Sequence, residues 1–431
     1  MLDIKEINKL AIPAILYNIT EPLIGLVDTA VIGQMEGDVT SAQAGIGLAA
    51  GIISTLVWGL AQIRTAVSAL ISQYLGKDKL DQIASLVPQS LIFSALVGIL
   101  FWIITALYFI PIANFLFISK SPSILSDADV YYQIRAIGLP FSLLIAGLFG
   151  VFRGFQNTSL AMYAAFIGGG LNVILDIVLV KYYHLGIAGV AWASVASQLA
   201  MVLVCLFFLK RKTPFPLKPK RKLNPEFKTM LIISGNMLIR TLALNAAFII
   251  ALRYASKYGE ASLAAYAIGI QIWLFSSFFI DGYSTAGNAM AGKYLGERNH
   301  EKLKALVIKL LKINVIVALG LAATYAVLYP YLGSWFNNDV EVLLVFNSFL
   351  WLVILAQPLN SIAFTMDGIF KGMGKAKLLR NTLMIGSFLI FLPTLLLTDY
   401  LGWEIMSIWT AFVAWMAFRG GTLVYWFFKK V

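Results

Sequence analysis

At 431 residues the chain is 60% hydrophobic and only 13% charged, with a formal net charge of +12. Soluble domains carry about 25% charged residues, so this composition marks a polytopic membrane protein. A single cysteine, Cys205, excludes an internal disulfide, and two histidines, His184 and His300, both at predicted loop positions, argue against a zinc or haem centre.

In chain order, "MLDIKEINKLAIPAIL" has charges but no small-residue cleavage site before its apolar run. It reads as a retained helix rather than a signal peptide. A spanning helix needs about 20 mostly apolar residues. Stretches of that kind fall at 9–34, 42–74, 87–111, 130–156, 158–182, 186–210, 229–255, 262–294, 305–330, 341–372, 379–399 and 404–428. No run alternates with period two as a barrel strand would. The fold class is an all-α membrane protein with twelve transmembrane helices.

The loops alternate in charge. Even loops hold Lys77, Lys79, Arg153, the basic run Lys210 to Lys222, "KYLGERNHEKLK" and "KGMGKAKLLR"; odd loops hold chiefly Lys120, Lys181 and Lys257, with acids such as Glu36, Asp38, Asp339 and Asp399. The positive-inside rule then puts both termini in the cytoplasm. Basic cytoplasmic loops account for the net charge without any nucleic-acid partner.

The sequence repeats. "SQYLGKDKLDQI" from Ser72 resembles "GKYLGERNHEKL" from Gly292, "LPFSLLIAGLFGVFRG" from Leu139 resembles "QPLNSIAFTMDGIFKG" from Gln357, and "LGIAGVAW" from Leu185 resembles "LGWEIMSIW" from Leu401. The near-constant offset predicts two homologous six-helix lobes, 1–211 and 229–431, joined by a basic cytoplasmic linker, 212–228. Parallel repeats of this kind are one architecture of secondary transporters. There is no GxxxxGK[ST] loop, which points to an ion gradient rather than ATP hydrolysis as the energy source.

Charges inside spans cost about 2.5–3.5 kcal/mol each on insertion scales, so they default to function. Glu21 and Asp28 on span 1 are seven residues apart, hence roughly 20° apart on one helix face. Asn172 and Asp176 lie one turn apart on span 5. Counting depth puts Asp28 and Asp176 at a similar level, with Ser194 and Ser197 of span 6 able to face them and Gly168, Gly169 and Gly170 leaving room for close approach. No base from the same half is expected at that level. Two acids there repel if both are ionised, so the cluster can hold a proton or bind Na⁺ through oxygen ligands. In the other half, Arg240 and Asp281 are a candidate buried ion pair, Asp367 is expected near the cytoplasmic surface, and Arg64 has no assigned partner. Pro13 and Pro22 interrupt span 1. Pro22 frees the carbonyl of Asn18, making this helix a candidate moving part.

"EPLIGLVDTAVIGQM", "AQAGIGLA", the Asn172/Asp176 pair, "FRGFQNT" and "DGIFKG" together resemble the multidrug and toxic compound extrusion family, closest in flavour to the DNA-damage-inducible protein F subgroup. The resemblance covers the whole chain. It implies a V-shaped pair of lobes that rock between outward-open and inward-open states, exporting amphipathic organic cations in exchange for H⁺ or Na⁺. It places the coupling site on Asp28, Asn172, Asp176 and Ser194, with Glu21 as an added carboxylate and Pro13 as a bend-forming proline. No cofactor beyond the coupling ion is expected. A monomer in a bacterial-type inner membrane, surrounded by lipid, is expected. The alternative is a lipid or polysaccharide flippase of the same architecture, against which the scarcity of intramembrane bases argues. An enzyme would need a convergent catalytic set, and no histidine lies in a span.

Overall fold

The computed structural model describes residues 3–33, 39–116 and 122–430. The loop residues Glu36, Asp38 and Lys120 and the side chain of Glu21 lie outside that description. Among the described residues there is no strand. Twelve helical stretches are long and apolar enough to cross a membrane. They are span 1 (Ile4–Ile32), span 2 (Ser41–Gly76), span 3 (Leu80–Leu107), span 4 (Pro122–Gly154), span 5 (Thr158–Tyr182), span 6 (Gly186–Lys212), span 7 (Phe227–Lys257), span 8 (Glu260–Gly296), span 9 (His300–Val327), span 10 (Val340–Gly372), span 11 (Ala376–Tyr400) and span 12 (Ile405–Lys429). The run of apolar residues thus reports the spans well. The ends move by a few residues because polar helix termini continue past the hydrocarbon-length core.

The chain packs as two compact units. One comprises Leu16–Ile232, the other Met1–Ile15 together with Ile233–Val431. Span 1 is therefore shared: its first turns belong with the C-terminal residues. Gly282 of span 8 explains how, since a Cβ there would run into the Ile15 side chain and sit 3.0 Å from the Ala11 carbonyl. The linker 212–228 packs on the Leu16–Ile232 unit rather than hanging free. Asn224 donates through its amide to the Gln82 carbonyl at 2.8 Å and the Ser85 hydroxyl at 2.9 Å, and its backbone N–H donates to Gln89 Oε1 at 2.9 Å. Gln89 Nε2 donates to the Lys222 carbonyl at 2.9 Å, and the Tyr74 hydroxyl to Glu226 at 2.8 Å.

Each unit is built around the same helix of the repeat. Span 4 packs against spans 2, 3 and 6, and span 10 against spans 8, 9 and 12. The close approach is made by glycines at matching positions. Gly150 and Gly154 of span 4 lie against the Arg64 and Ser68 carbonyls of span 2, and Gly368 and Gly372 of span 10 lie against the Ser284 and Asn288 carbonyls of span 8. Small residues are what let spanning helices approach backbone to backbone. The turns repeat too. Asp78 and Arg298 both take φ near +55° (54° and 56°), and Gln156 and Gly374 follow their spans at 62° and 71°.

Candidate functional site

In the Leu16–Ile232 unit, span 1 and span 5 bring two acids together. Gly169 of span 5 seats against span 1, where an added Cβ would lie 2.8 Å from Ile24 and 3.1 Å from Thr20. One to two turns further along the two helices, Asp28 and Asp176 come within hydrogen-bonding reach of each other. Asp176 is 0% exposed and Asn172 is 2% exposed. Both Asp176 oxygens, Asp28 Oδ1 and both amide atoms of Asn172 are buried without a donor or acceptor from the protein. As two carboxylates the pair has no donor between them. As a carboxylic acid beside a carboxylate it shares one proton. Unsatisfied polar atoms in such a setting cost on the order of 1–3 kcal/mol each, so the cluster is built for something to enter it.

Asp176 ends the α-helical part of span 5. Residues Ile177–Tyr182 continue as a π-helix, a distortion that is often found at functional sites and that re-aims the side chains beside it. Ser194 is buried on span 6, and its carbonyl accepts from Ser197 Oγ at 2.9 Å. No described hydrogen bond joins the Ser194 hydroxyl to Asp28, Asn172 or Asp176.

A base does reach this level, contrary to expectation. Arg135 of span 4 is within electrostatic reach of Asp28, and the buried Tyr131 hydroxyl is within reach of a donated Arg135 N–H and within electrostatic reach of both acids. Arg135 Nη1 donates to Gln198 Oε1 at 3.1 Å. Gly138, at the end of the 3₁₀ turn Ala136–Gly138, leaves room for this, because a Cβ there would occupy the space of the Arg135–Gln198 contact. The Tyr131/Arg135 spacing of four was the one available sign that both share a face. Among the described residues the site holds two carboxyls and one guanidinium, one positive charge short of neutrality when both acids are ionised.

Span 1 itself is an unbroken helix through Pro13 and Pro22. Its middle is weakly held. Pro22 cannot donate to the Asn18 carbonyl, Thr20 Oγ1 bonds back to the Leu16 carbonyl at 2.8 Å, and Asn18 Nδ2 is buried without a partner. Tyr17 accepts a hydrogen bond from Arg64 Nη1 at 2.6 Å, which gives Arg64 its partner.

The other unit corrects the pairing of Arg240. Its guanidinium bonds to Asp367 of span 10, not to Asp281. Asp281 is half-buried on span 8 and takes part in no ion pair among the described residues. Asp367 is buried at 3% exposure rather than interfacial, because Gly368 and Gly372 draw this end of span 10 deep against span 8. It also accepts from Arg419 Nη2 of span 12 at 2.7 Å, a residue 1% exposed. The Arg419 guanidinium lies 5.0 Å from the Trp415 ring centroid and 5.8 Å from that of Phe364. No group of three or more His, Cys, Asp or Glu side chains suited to a metal ion occurs among the described residues.

Twelve candidate spans, with two acids of spans 1 and 5 brought together among the described residues, define a polytopic membrane protein. The MatE family model matches residues 13–178 and 237–396, and the chain belongs to the MatE family. It is 27% identical to DNA damage-inducible protein F of Escherichia coli, over 97% of this chain and 91% of that protein. It is likewise 27% identical to Protein DETOXIFICATION 44, chloroplastic, of Arabidopsis thaliana, over 96% of this chain and 80% of the relative. Among solved structures, an Asp-to-Asn variant of a Vibrio cholerae MATE transporter superposes with a TM-score of 0.91 at 19% identity, over 99% of this chain and 96% of that one.

Proposed function

We propose that the protein is a monomeric, proton-coupled antiporter of a bacterial-type inner membrane, exporting amphipathic organic cations, with both termini cytoplasmic. The observation that carries the coupling is the Asp28/Asp176 pair, in which the buried Asp176 carboxylate and Asp28 Oδ1 lack protein donors. With Arg135 beside it the site takes up one monovalent cation to reach neutrality. A proton does so within the existing carboxyl–carboxyl contact. Na⁺ would need oxygen ligands drawn from Asp28, Asn172, Asp176 and Ser194, next to a guanidinium that repels it. This favours H⁺ over Na⁺ and one ion per cycle.

Coupling requires that the proton bind the two transport states with different affinity. Span 1 is the element to translate that difference. It carries Asp28, it is weakened at Pro22, and its two ends belong to different packing units. Rocking of the lobes around the site then alternates access. Dye efflux from vesicles under separately imposed pH and Na⁺ gradients tests the reading. Ethidium export driven by the pH gradient alone is expected; export driven only by the Na⁺ gradient would refute proton coupling.

A further inference from the structure

The docked linker carries a charge that coupling does not use. From Lys210 to Lys222 seven of thirteen residues are basic, in the runs Lys210–Lys212 and Lys220–Lys222 with Lys218 between them, and none is acidic. All seven side chains are exposed. Among the described residues no ion pair joins any of them to an acid. A free stretch of this kind spreads to relieve its own repulsion. Here it is fastened at both ends. Phe215 is buried, its ring 5.7 Å from Phe155 and nearly edge-on. Asn224 is buried on its bonds to Gln82, Ser85 and Gln89, and Gln89 also donates to the Lys220 and Lys222 carbonyls at 3.3 and 2.9 Å. Pro214, Pro216, Pro219 and Pro225 fix φ and remove N–H donors, so the backbone stays extended. Between the two anchors every residue from Pro216 to Leu223 is exposed. The positive charges are therefore held in place and left unneutralised.

The seat of this stretch fixes its depth. Gln82, Ser85 and Gln89 belong to the first turns of span 3, and Phe93, a turn further on, meets Phe227 edge-on at 5.9 Å. From Ile92 onward the same helix exposes Ile92, Leu96, Ile99 and Leu100, the apolar face of a spanning segment. The fastened chain thus lies within about one helical turn, roughly 5 Å, of the hydrocarbon edge, at the level of lipid headgroups. Leu217 and Leu223 are exposed among the basic residues. Basic side chains interspersed with exposed leucines match a surface that is anionic at its face and apolar just beneath it. A nucleic acid or an acidic protein would use the charges but neither the leucines nor the depth.

We propose that the docked stretch Lys210–Lys222 is a binding surface for the headgroups of anionic phospholipids in the cytoplasmic leaflet. Lys218, Lys220, Arg221 and Lys222 take the phosphates, and Leu217 and Leu223 rest in the interface. The choice of leaflet rests on the orientation proposed above; the binding itself does not. Fastening through Asn224 and Gln89 gives the site its form, because it holds the charges as a row at headgroup depth.

The test uses purified full-length protein in micelles containing phosphatidylglycerol and phosphatidylcholine, with retained lipid counted by native mass spectrometry and folding followed by melting temperature. Wild type is expected to retain phosphatidylglycerol over phosphatidylcholine by about tenfold. The combined variant Lys218→Gln, Lys220→Gln, Arg221→Gln, Lys222→Gln should lose about fivefold or more of that retention at an unchanged melting temperature. Lys302→Gln, Lys304→Gln, Lys375→Gln, Lys377→Gln together remove the same charge from exposed positions elsewhere, and should change it by less than about twofold. Asn224→Ala with Gln89→Ala keeps every basic residue but unfastens the chain, and should also lose phosphatidylglycerol. Equal loss in the two fourfold variants, or full retention by a folded, unfastened variant, overturns the proposal. Release of the lipid by phosphate but not by chloride at matched ionic strength would assign the surface to a free anion instead. An RNA oligomer that binds wild type more tightly than the lipid does, and is lost in the first variant, would assign it to nucleic acid. Orientation is read separately, by an impermeant thiol reagent on Leu217→Cys: labelling from outside intact cells would overturn the cytoplasmic leaflet and leave the micelle result standing.

Discussion

The two units share a scaffold and differ in the sign of what they bury. Span 4 and span 10 hold the same place, meet their neighbours through glycines at matching positions, and are followed by turns with matching backbone geometry. Yet among the described residues one unit sets the half-buried Asp28 and the buried Asp176 near one arginine, and the other buries Arg240 and Arg419 against one aspartate. The difference teaches that packing and charge are separable in this fold. Backbone-to-backbone contact at small residues sets where helices lie, and each half then has polar positions free to take on its own chemistry. The cores diverge as well. The C-terminal unit is filled by interlocking rings, with Phe349 stacked on Trp409 at 5.0 Å and Phe412 edge-on to Trp273 at 4.7 Å.

The contrast can be broken most severely at the acids. Asp28→Asn and Asp176→Asn should each lower pH-driven ethidium efflux by about a hundredfold or more, with the double variant little worse, since the two act as a unit. Near-normal efflux in Asp28→Asn would move the coupling site elsewhere. Asp367→Asn should instead unfold the protein more readily, by about 3–5 kcal/mol, because it strands two guanidiniums in the bundle. An unchanged melting temperature would mean that water or lipid already compensates them. Gly150→Ala and Gly368→Ala should cost about 1–3 kcal/mol each through overpacking against the Arg64 and Ser284 carbonyls. A large gap between those two costs would show that the shared scaffold is rigid in only one half. Smallest of all, Asp281→Asn should change the melting free energy by about 0.5 kcal/mol or less, the scale of a site outside any ion pair. A loss comparable to that of Asp367→Asn would restore Asp281 as a partner of Arg240.

Much of this was legible in the residues, for physical reasons that also mark the limits. Hydrophobic length gives the spans, and the internal repeat gives the two sets of six. Depth counting on regular helices brings Asp28 level with Asp176, and the Gly168–Gly170 run does mark a close approach to span 1. The 3₁₀ turn after Arg135 changes the phase that a 3.6-residue period assumes, whereas the count to Asp176 survives the π-helix beyond it. The count fails at Asp367, where "GIFKG" looks like a helix end but Gly368 and Gly372 sink it into the bundle. Which acid meets Arg240 depends on how three spans are arranged, and no local period encodes that. The docked linker is similar: its basic run marks a connection between the lobes, and only Asn224 and Gln89 reveal it as fastened.

The division of span 1 carries a consequence for how the protein is made. Ile7, Leu10, Ala11 and Ala14 are almost fully buried, and the surface that receives them includes Gly282 of span 8. Those residues leave the ribosome some 270 positions before Gly282 does, an interval of roughly 15–50 s at about 5–20 residues per second. For that time the opening turns of span 1 have no native partner, while Leu16 onward can already settle against span 5. The earliest helix of the sequence is therefore among the last to finish packing. Cross-linking of residue 11 to residue 282 should appear only after the C-terminal half has been synthesised, well behind cross-linking of residue 24 to residue 169.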